Sequence, residues 1–252
     1  MTGSSPSQLS TGLKLSGLSA CRTISTALLL VILWTLTGPH QVMAGSETSV
    51  LRIRAGQGPE QRVGSGFYIQ SNILATSFQL VRGAETITAG KGKTVVQVQA
   101  VLTFDPDLDL ALLYTPARGA PLPLDGHFLE PWSRLQTMGF AQGESVQKVP
   151  VLFQEWERFK GIWHLRIQGP VPRGMSGGPV VNDQGRVVGM VRYVAEGKPS
   201  SLAWAVDSKT IHRLFNQALD RPVFTRMSSF ARQTGAGPRV RVQDQKIIIT
   251  DE

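Results

Sequence analysis

The stretch PRGMSGGPVVND, residues 172–183, decides how the rest of the chain is interpreted. Ser176 lies between Gly174 on one side and the pair Gly177-Gly178 on the other. Glycine adopts backbone angles that other residues avoid, so a tight turn here can present the serine hydroxyl in open space. The backbone amides of Gly174, Met175 and Ser176 can converge in such a turn, which is the arrangement that binds an oxyanion. The stretch therefore predicts a turn that displays a nucleophile and leads into a strand.

The composition favours an all-β protein with many turns. The chain has 252 residues, with 26 glycines, 15 prolines, 41% hydrophobic residues and only 7% aromatic residues. This length allows a sizeable core. Residues 49–54 and 94–105 alternate apolar with polar positions, as half-buried strands do, and the mostly apolar residues 73–81 are expected to form another strand. Short strands at this spacing, separated by turn residues, predict a sandwich or a barrel.

Charge and cysteine content narrow the classes of function. The net charge of +8 is spread along the chain without a block of five like charges, which favours a solvated cationic surface over a nucleic-acid site. Cys21 is the single cysteine, so the chain cannot form an internal disulfide. No pair of histidines has the spacing of metal ligands. We therefore expect no nucleic acid, no metal and no cofactor.

The N-terminal region has the pattern of a secretory signal. An apolar run over residues 24–36 follows Arg22, and small residues lead up to Ala44, where a signal peptidase would cleave. An uncleaved membrane anchor is the alternative for residues 1–44. Either interpretation predicts an exported protein in a periplasmic or other extracytoplasmic space. In the anchored case, residues 24–44 would attach it to the inner membrane.

Two segments resemble those of a known family. The GxSGGPV turn around Ser176, with a strand after it, resembles the nucleophile turn of trypsin-like serine proteases of the chymotrypsin fold, in the HtrA/Deg style. That family supplies its catalytic acid from a D-[LI]-A-L-L segment, and residues 109–113, beginning at Asp109, match it. Asp107 is the neighbour that an error of register would select. The resemblance covers about residues 48–219.

The resemblance implies an all-β fold of two six-stranded β-barrels with a C-terminal helix. The first barrel is expected over residues 46–118, and the second barrel with its closing helix over residues 119–219. Residues 220–252 form an extension in which alternating and apolar runs predict a β-hairpin.

The residue that should act as the general base is missing. In the family, a strand ends in a V-L-T-A-A-H-like segment whose histidine is the base. Residues 74–79 match that segment and place Gln79 at the histidine position, while a register slip of one would place Phe78 there. No histidine occurs between His40 and His127, so the absence of a base in this region does not depend on the alignment.

A serine hydroxyl needs a neighbouring base that takes its proton and returns it to the leaving amine. A glutamine amide can hydrogen-bond to Ser176 and Asp109, but it cannot carry a proton. The predicted set of Ser176, Asp109 and Gln79 therefore indicates an inactive homologue, a pseudoprotease whose partners are proteins or peptides. Two alternatives stay open: an active serine endopeptidase with a non-standard base, and a structural subunit of a membrane-associated complex. The sequence predicts no oligomeric state.

Overall fold

The computed structural model describes residues 46–141, 145–159, 161–194, 202–220, 224–234, 239–243 and 246–250. The predicted signal peptide or anchor, residues 1–44, lies outside these ranges. Residues 43–252 belong to one compact unit. Among the helices of the described ranges, none combines the length and the apolar character needed to cross a bilayer.

The first lobe is an antiparallel sheet of eight strands. In chain order its strands are β1 (Val50–Ala55), β2 (Arg62–Gln70), β3 (Ile73–Ser77), β4 (Ile87–Lys91), β5 (Thr94–Gln97), β6 (Ala100–Asp105), β7 (Leu110–Tyr114) and the late strand β14 (Thr225–Arg226). Their order across the sheet is β14-β6-β7-β3-β2-β1-β4-β5. β3 therefore lies between β2 and β7, which places the segments carrying Gln79 and Asp109 side by side.

The second lobe is a closed barrel of six strands. They are β8 (Arg134–Gly139), β9 (Gln147–Phe159), β10 (Ile162–Gln168), β11 (Pro179–Val181), β12 (Val187–Val194) and β13 (Leu202–Asp207). Their order around the barrel is β10-β13-β12-β11-β8-β9. The serine turn lies between β10 and β11, so its stretch leads into a strand as predicted.

Three helices complete the described part. The one-turn helix α1 (Phe78–Val81) follows β3, α2 (Ser208–Asp220) follows β13, and α3 (Met227–Thr234) follows β14. The carboxylate of Asp207 accepts the amide of Thr210 at 2.5 Å and so caps the first turn of α2. Short 3-10 turns occupy Ser46–Ser49 and Gly58–Glu60. At the C-terminal end, β15 (Arg239–Gln243) pairs antiparallel with β16 (Lys246–Thr250).

The predicted all-β fold with two barrel-like lobes and a C-terminal helix is confirmed, with differences in detail. The first lobe has eight strands rather than six, and its strand order does not close. One extra strand is β14, from beyond the second barrel. Another arises because residues 94–105, expected as one strand, are divided where the amide of Val98 turns to the carbonyl of Ile87 at 2.9 Å.

Residues 73–81 also differ from the expected single strand. β3 ends at Ser77, and the last four residues form α1 instead. The amide of Phe78 donates to the carbonyl of Asp109 at 3.1 Å, and the amide of Gln79 donates to the carboxylate of the same residue at 2.7 Å. Amides at the start of a helix have no acceptor inside the helix, and here Asp109 accepts two of them. The loop before β7 therefore caps α1.

A shared core fixes the two lobes against each other. Its buried side chains come from the first sheet, from the barrel and from α2, and they include Val50, Phe67, Met138, Val181, Met190 and Ile211. Burial of each such side chain contributes about 1.5–3 kcal/mol to stability. Elements of both lobes are thus held on a common core.

Candidate active site

The serine turn has a backbone that only glycine fits at two positions. Gly174 has φ +92° and Gly177 has φ +82°. A Cβ on Gly174 would lie 2.4 Å from the carbonyl oxygen of Phe140, and a Cβ on Gly177 would lie 2.1 Å from that of Ser65. Both the backbone angles and the close contacts therefore exclude larger residues, and Ser176 between them is half-buried.

Ser65 on β2 joins this turn to both lobes. Its hydroxyl donates to the carbonyl of Gly174 at 2.7 Å and accepts the amide of Phe140 at 2.8 Å. Its own amide donates to the carbonyl of Ser176 at 2.9 Å. The side chain is fully buried, so these bonds are shielded from water. The sequence motifs did not point to Ser65, although its place between Gly64 and Gly66 was a signal of close backbone contact.

Asp109 lies immediately before β7 and is 1% exposed. Its carboxylate accepts the hydroxyl of Ser77 at 2.8 and 2.9 Å and the backbone amide of Gln79 at 2.7 Å. The residue has a left-handed backbone with φ +52°, and its amide donates to the carbonyl of Pro106 at 3.2 Å. The structure therefore brings two of the three predicted residues, Asp109 and Gln79, into direct contact.

The serine turn packs against the strand that leads to Gln79. A Cβ on Gly177 would lie 2.7 Å from the Thr76 hydroxyl and 2.9 Å from the amide of Ser77. The Ser77 hydroxyl in turn donates to the carboxylate of Asp109. The three predicted residues thus lie on adjoining segments, although within the described ranges no hydrogen bond joins Ser176 to Asp109.

The amides predicted for the oxyanion site differ in their surroundings. Met175 is buried, and its amide donates to the carbonyl of Pro172 at 3.4 Å, inside the turn. The amides of Gly174 and Ser176 stay the pair predicted to face an oxyanion. Among the residues that the structure describes, no group of three or more acidic, histidine or cysteine side chains could hold a metal.

Comparison with known proteins decides the family. Residues 64–190, just over half of the chain, match the trypsin-like peptidase domain. The chain belongs to this family. It is 27% identical over 166 residues to serine protease Rv3671c of Mycobacterium tuberculosis strain H37Rv, an alignment that covers 60% of this chain and 42% of the relative. The chain thus spans less than half the length of that curated relative.

A second curated relative and two solved structures extend the comparison. The anti-sigma-I factor RsgI9 of Acetivibrio thermocellus is 31% identical over 137 residues, covering 52% of this chain and 19% of that protein. The active form of the Rv3671c protease superposes with a TM-score of 0.66 at 21% identity, covering 76% of this chain and 88% of that one. The inactive form gives 0.62 at 22% identity, covering 73% and 95%. At these identities the two structures support the fold alone.

The histidines of this trypsin-like domain have other partners. His127 contacts Asp125 in the linker, and His212 is exposed on α2. His164 is buried on β10; its Nδ1 donates to the carbonyl of Ile162 at 3.0 Å, and its Nε2 accepts from the guanidinium of Arg192 at 2.5 Å. None of these three described histidines hydrogen-bonds to Ser176.

Burial determines the protonation of the two ionisable groups near the site. It raises the pKa of Asp109 to about 6, against the opposite effects of the Arg192 charge and of the hydrogen bonds from Gln79, Ser77 and Phe78. Burial, together with the Arg192 charge, lowers the pKa of His164 to about 4. At neutral pH Asp109 is therefore a carboxylate, and His164 is a neutral ring with both nitrogens engaged.

Arg192 is the residue of this region to which no sequence motif pointed. It lies on β12, is 6% exposed, and its guanidinium carbon lies 4.3 Å from the centre of the Tyr193 ring. A charged residue inside an otherwise apolar strand was the available signal. Arginine is almost never fully buried unless it is paired.

Proposed function

We propose that this trypsin-like domain is an exported, catalytically inactive protease homologue that binds a peptide or protein. The observation that carries the proposal is the 2.7 Å hydrogen bond from the backbone amide of Gln79 to the carboxylate of Asp109, which places position 79 next to the acid. It supports assigning Gln79 to the position at which the family's histidine would contact the catalytic acid. With Gln79 at that position, the described site has an acid and a serine but no side chain between them that can carry a proton.

The chemical consequence is large. Loss of the base in a serine triad costs on the order of 10⁶ in turnover, or about 8 kcal/mol of transition-state stabilisation. An oxyanion site and a binding cleft alone retain roughly 10³–10⁴ over the uncatalysed reaction. A cleft that has lost turnover can still take an extended peptide as an added strand, and this is the binding mode that we propose.

Export is part of the proposal and rests on the sequence. The apolar run at 24–36 and the small residues before Ala44 support a signal peptide or an inner-membrane anchor. The partner is proposed to lie in the same extracytoplasmic compartment. Fractionation of cells that express the full chain with a C-terminal tag tests this part, and recovery in the cytoplasmic fraction would contradict it.

The second candidate function is an active serine endopeptidase. It is favoured by the serine turn, where Gly174, Ser176 and Gly177 keep the pattern of the family. It is also favoured by the name of the relative Rv3671c, a serine protease. This alternative requires a base that is absent from the described surroundings of Ser176.

Labelling with a fluorophosphonate probe separates the two functions. We expect the purified full chain to be labelled no more than its Ser176→Ala variant, because an unactivated hydroxyl reacts slowly. Gln79→His should raise labelling and ester hydrolysis, since it supplies a base next to Asp109, whereas Gln79→Asn should not. Strong labelling of the unmodified chain that disappears in Ser176→Ala would establish the active endopeptidase instead.

A further inference from the structure

We propose that the chain's own C-terminal hairpin occupies the end of β12 beside the serine turn and competes there with any peptide that would add as a strand. The hairpin consists of β15 (Arg239–Gln243) and β16 (Lys246–Thr250). The proposal rests on the proposed peptide-binding function. It adds the segment that regulates the same site and the class of peptide that the site takes.

The end of β12 has one edge without a strand partner in the described part of the chain. β11 pairs with β12 as far as Met190. Val191 then exchanges two backbone hydrogen bonds with Gly177 and Gly178 of the serine turn, at 2.8 and 2.9 Å. Beyond Val191, β12 pairs only with β13 on its other edge, through residues 193 and 194. The open edge therefore begins directly after the residue that is bonded to the serine turn.

Strand β15 lies against β12. Apart from its hairpin partner β16, no described element contacts β15 more extensively than β12 does. A two-stranded hairpin is marginally stable by itself in water and needs a surface to pack on, which β12 supplies. β15 and β12 belong to different sheets, so no ladder of hydrogen bonds holds the hairpin in place. A peptide that forms such a ladder with β12 can therefore displace it.

The first part of β12 is covered on all sides, and this assigns the contact to its end. Up to Val191, its two edges are bonded to β11 or the serine turn and to β13. Val187 and Met190 pack into the core that the lobes share. Val188 and Val191 pack into a second core, and all four side chains are at most 4% exposed. The edge beyond Val191 is what remains for a further strand.

The sequence of the hairpin indicates the class of peptide that competes with it. β15 reads RVRVQ, with arginine and valine at alternate positions and no acidic residue. Successive side chains of a strand point to opposite faces, so this alternation gives one basic and one apolar face. In strand addition the main chain provides affinity and alternate side chains provide specificity. The ligand assigned to the open edge is thus an extended peptide with alternating basic and β-branched residues.

Cross-linking of the full chain tests the position of the hairpin. Cys21 is the single cysteine, so a Cys21→Ser background allows two cysteines to be introduced. A short bis-maleimide should join Val194→Cys to at least one of Val240→Cys, Arg241→Cys and Val242→Cys. The matched control replaces Val194→Cys by Val95→Cys, which is on the edge strand β5 and 48% exposed. Cross-linking at Val194 that is no higher than at Val95 overturns the proposal.

Binding of a labelled peptide tests whether the hairpin competes for the edge. The probe is a fluorescent synthetic peptide of residues 239–252, added to the full chain and to two variants of it. Val240→Pro with Val242→Pro removes two backbone amides and disrupts β15, whereas Val240→Thr with Val242→Thr keeps the amides and the β-branched shape. A tethered segment competes at a roughly millimolar effective concentration.

The proline variant should therefore bind the peptide at least about tenfold more tightly than the unmodified chain, as measured by fluorescence anisotropy. The threonine variant should bind it as the unmodified chain does. Equal affinity of the proline variant and the unmodified chain overturns the competition, and so does a lack of binding to both.

The outcomes separate this proposal from the proposed function. Cross-linking depends neither on catalysis nor on an external peptide. Fluorophosphonate labelling of the unmodified chain would refute inactivity and leave the cross-link standing. Peptide binding of equal strength in all three chains would refute the competition and leave peptide binding itself in place.

Discussion

Asp109 and His164 are two buried ionisable residues whose pKa values are displaced in opposite directions. The pKa of Asp109 is raised from 3.8 to about 6, so the folded protein holds this proton more tightly than the unfolded chain does. Its contribution to stability is present below pH 3.8 and is lost as the pH rises through 6. The pKa of His164 is lowered from 6.5 to about 4, so its contribution is present above pH 6.5 and is lost as the pH falls through 4.

Substitution of either residue should reveal how the other makes the free energy of unfolding depend on pH. Each shift corresponds to about 3 kcal/mol over the interval from pH 6.5 to 4, and in the unmodified protein the two largely cancel. Relative to the unmodified chain, Asp109→Asn should lose stability as the pH falls through this interval, and His164→Gln should gain it. Denaturant unfolding at several pH values measures both differences. Differences that do not change with pH would contradict the assigned protonation states.

The sequence assigned Asp109 and Gln79 to one site, and in the structure the hydrogen bond between them comes from the backbone amide of Gln79 rather than from its side-chain amide. Asp109 and Gln79 were found because each occupies a recognisable segment, and the order of those segments along the chain limits how they can meet. Arg192 belongs to no such segment. It lies on β12, which adjoins β3 and whose Val191 carbonyl accepts the amide of Gly177, and such contacts between distant parts of the chain are not encoded in local patterns.

The geometry of the serine turn depends on glycine. Gly177 and Gly161 have nearly the same backbone angle, φ +82° and +81°. A Cβ on Gly177 would meet the carbonyl of Ser65 at 2.1 Å, whereas no atom lies within 4 Å of a Cβ on Gly161. The two positions therefore share the conformational cost of a side chain and differ in the packing cost.

Alanine at these two positions separates the costs. Gly161→Ala should lower the free energy of unfolding by about 1–2 kcal/mol, the cost of a left-handed conformation for a residue with a Cβ. Gly177→Ala should lower it by at least about 2 kcal/mol more, because backbone atoms on β2 and β3 would have to move. Urea unfolding at neutral pH measures both. Equal losses would mean that the turn does not pack on β3 as described.

Helix α1 shows why the local sequence pattern predicted a strand where the structure has a helix. The run at 73–81 is mostly apolar, as a strand is, yet it continues as a helix after Ser77. The amides of Phe78 and Gln79 are bound by Asp109, which lies thirty residues later in the chain. A cap supplied from so far away leaves no trace in the run itself, and the same bonds create the site.

For the molecule as a whole, the chain beyond the second barrel returns to the first lobe. β14 pairs with β6 through Thr225 with Val101, and α3 places Phe230 against Phe104, with ring centres 5.2 Å apart. The amide of Gly83, just beyond α1, donates to the hydroxyl of Thr234 at 2.9 Å. The sequence predicted residues 220–252 only as an extension with a hairpin. A two-residue strand and an eight-residue helix are too short to produce a periodic signal.

Phenylalanine-to-alanine substitutions test whether this return stabilises the first lobe. Phe230 is fully buried and contacts Phe78, the residue before Gln79, with ring centres 6.3 Å apart. Phe224 is 52% exposed and contacts Tyr114. Phe230→Ala should lower the free energy of unfolding by about 3–5 kcal/mol, since it leaves a cavity in the core. Phe224→Ala should cost less than about 1.5 kcal/mol, because the side chain is half in solvent. Similar losses in the two variants would show that α3 is an appendage rather than part of the lobe that holds Gln79 against Asp109.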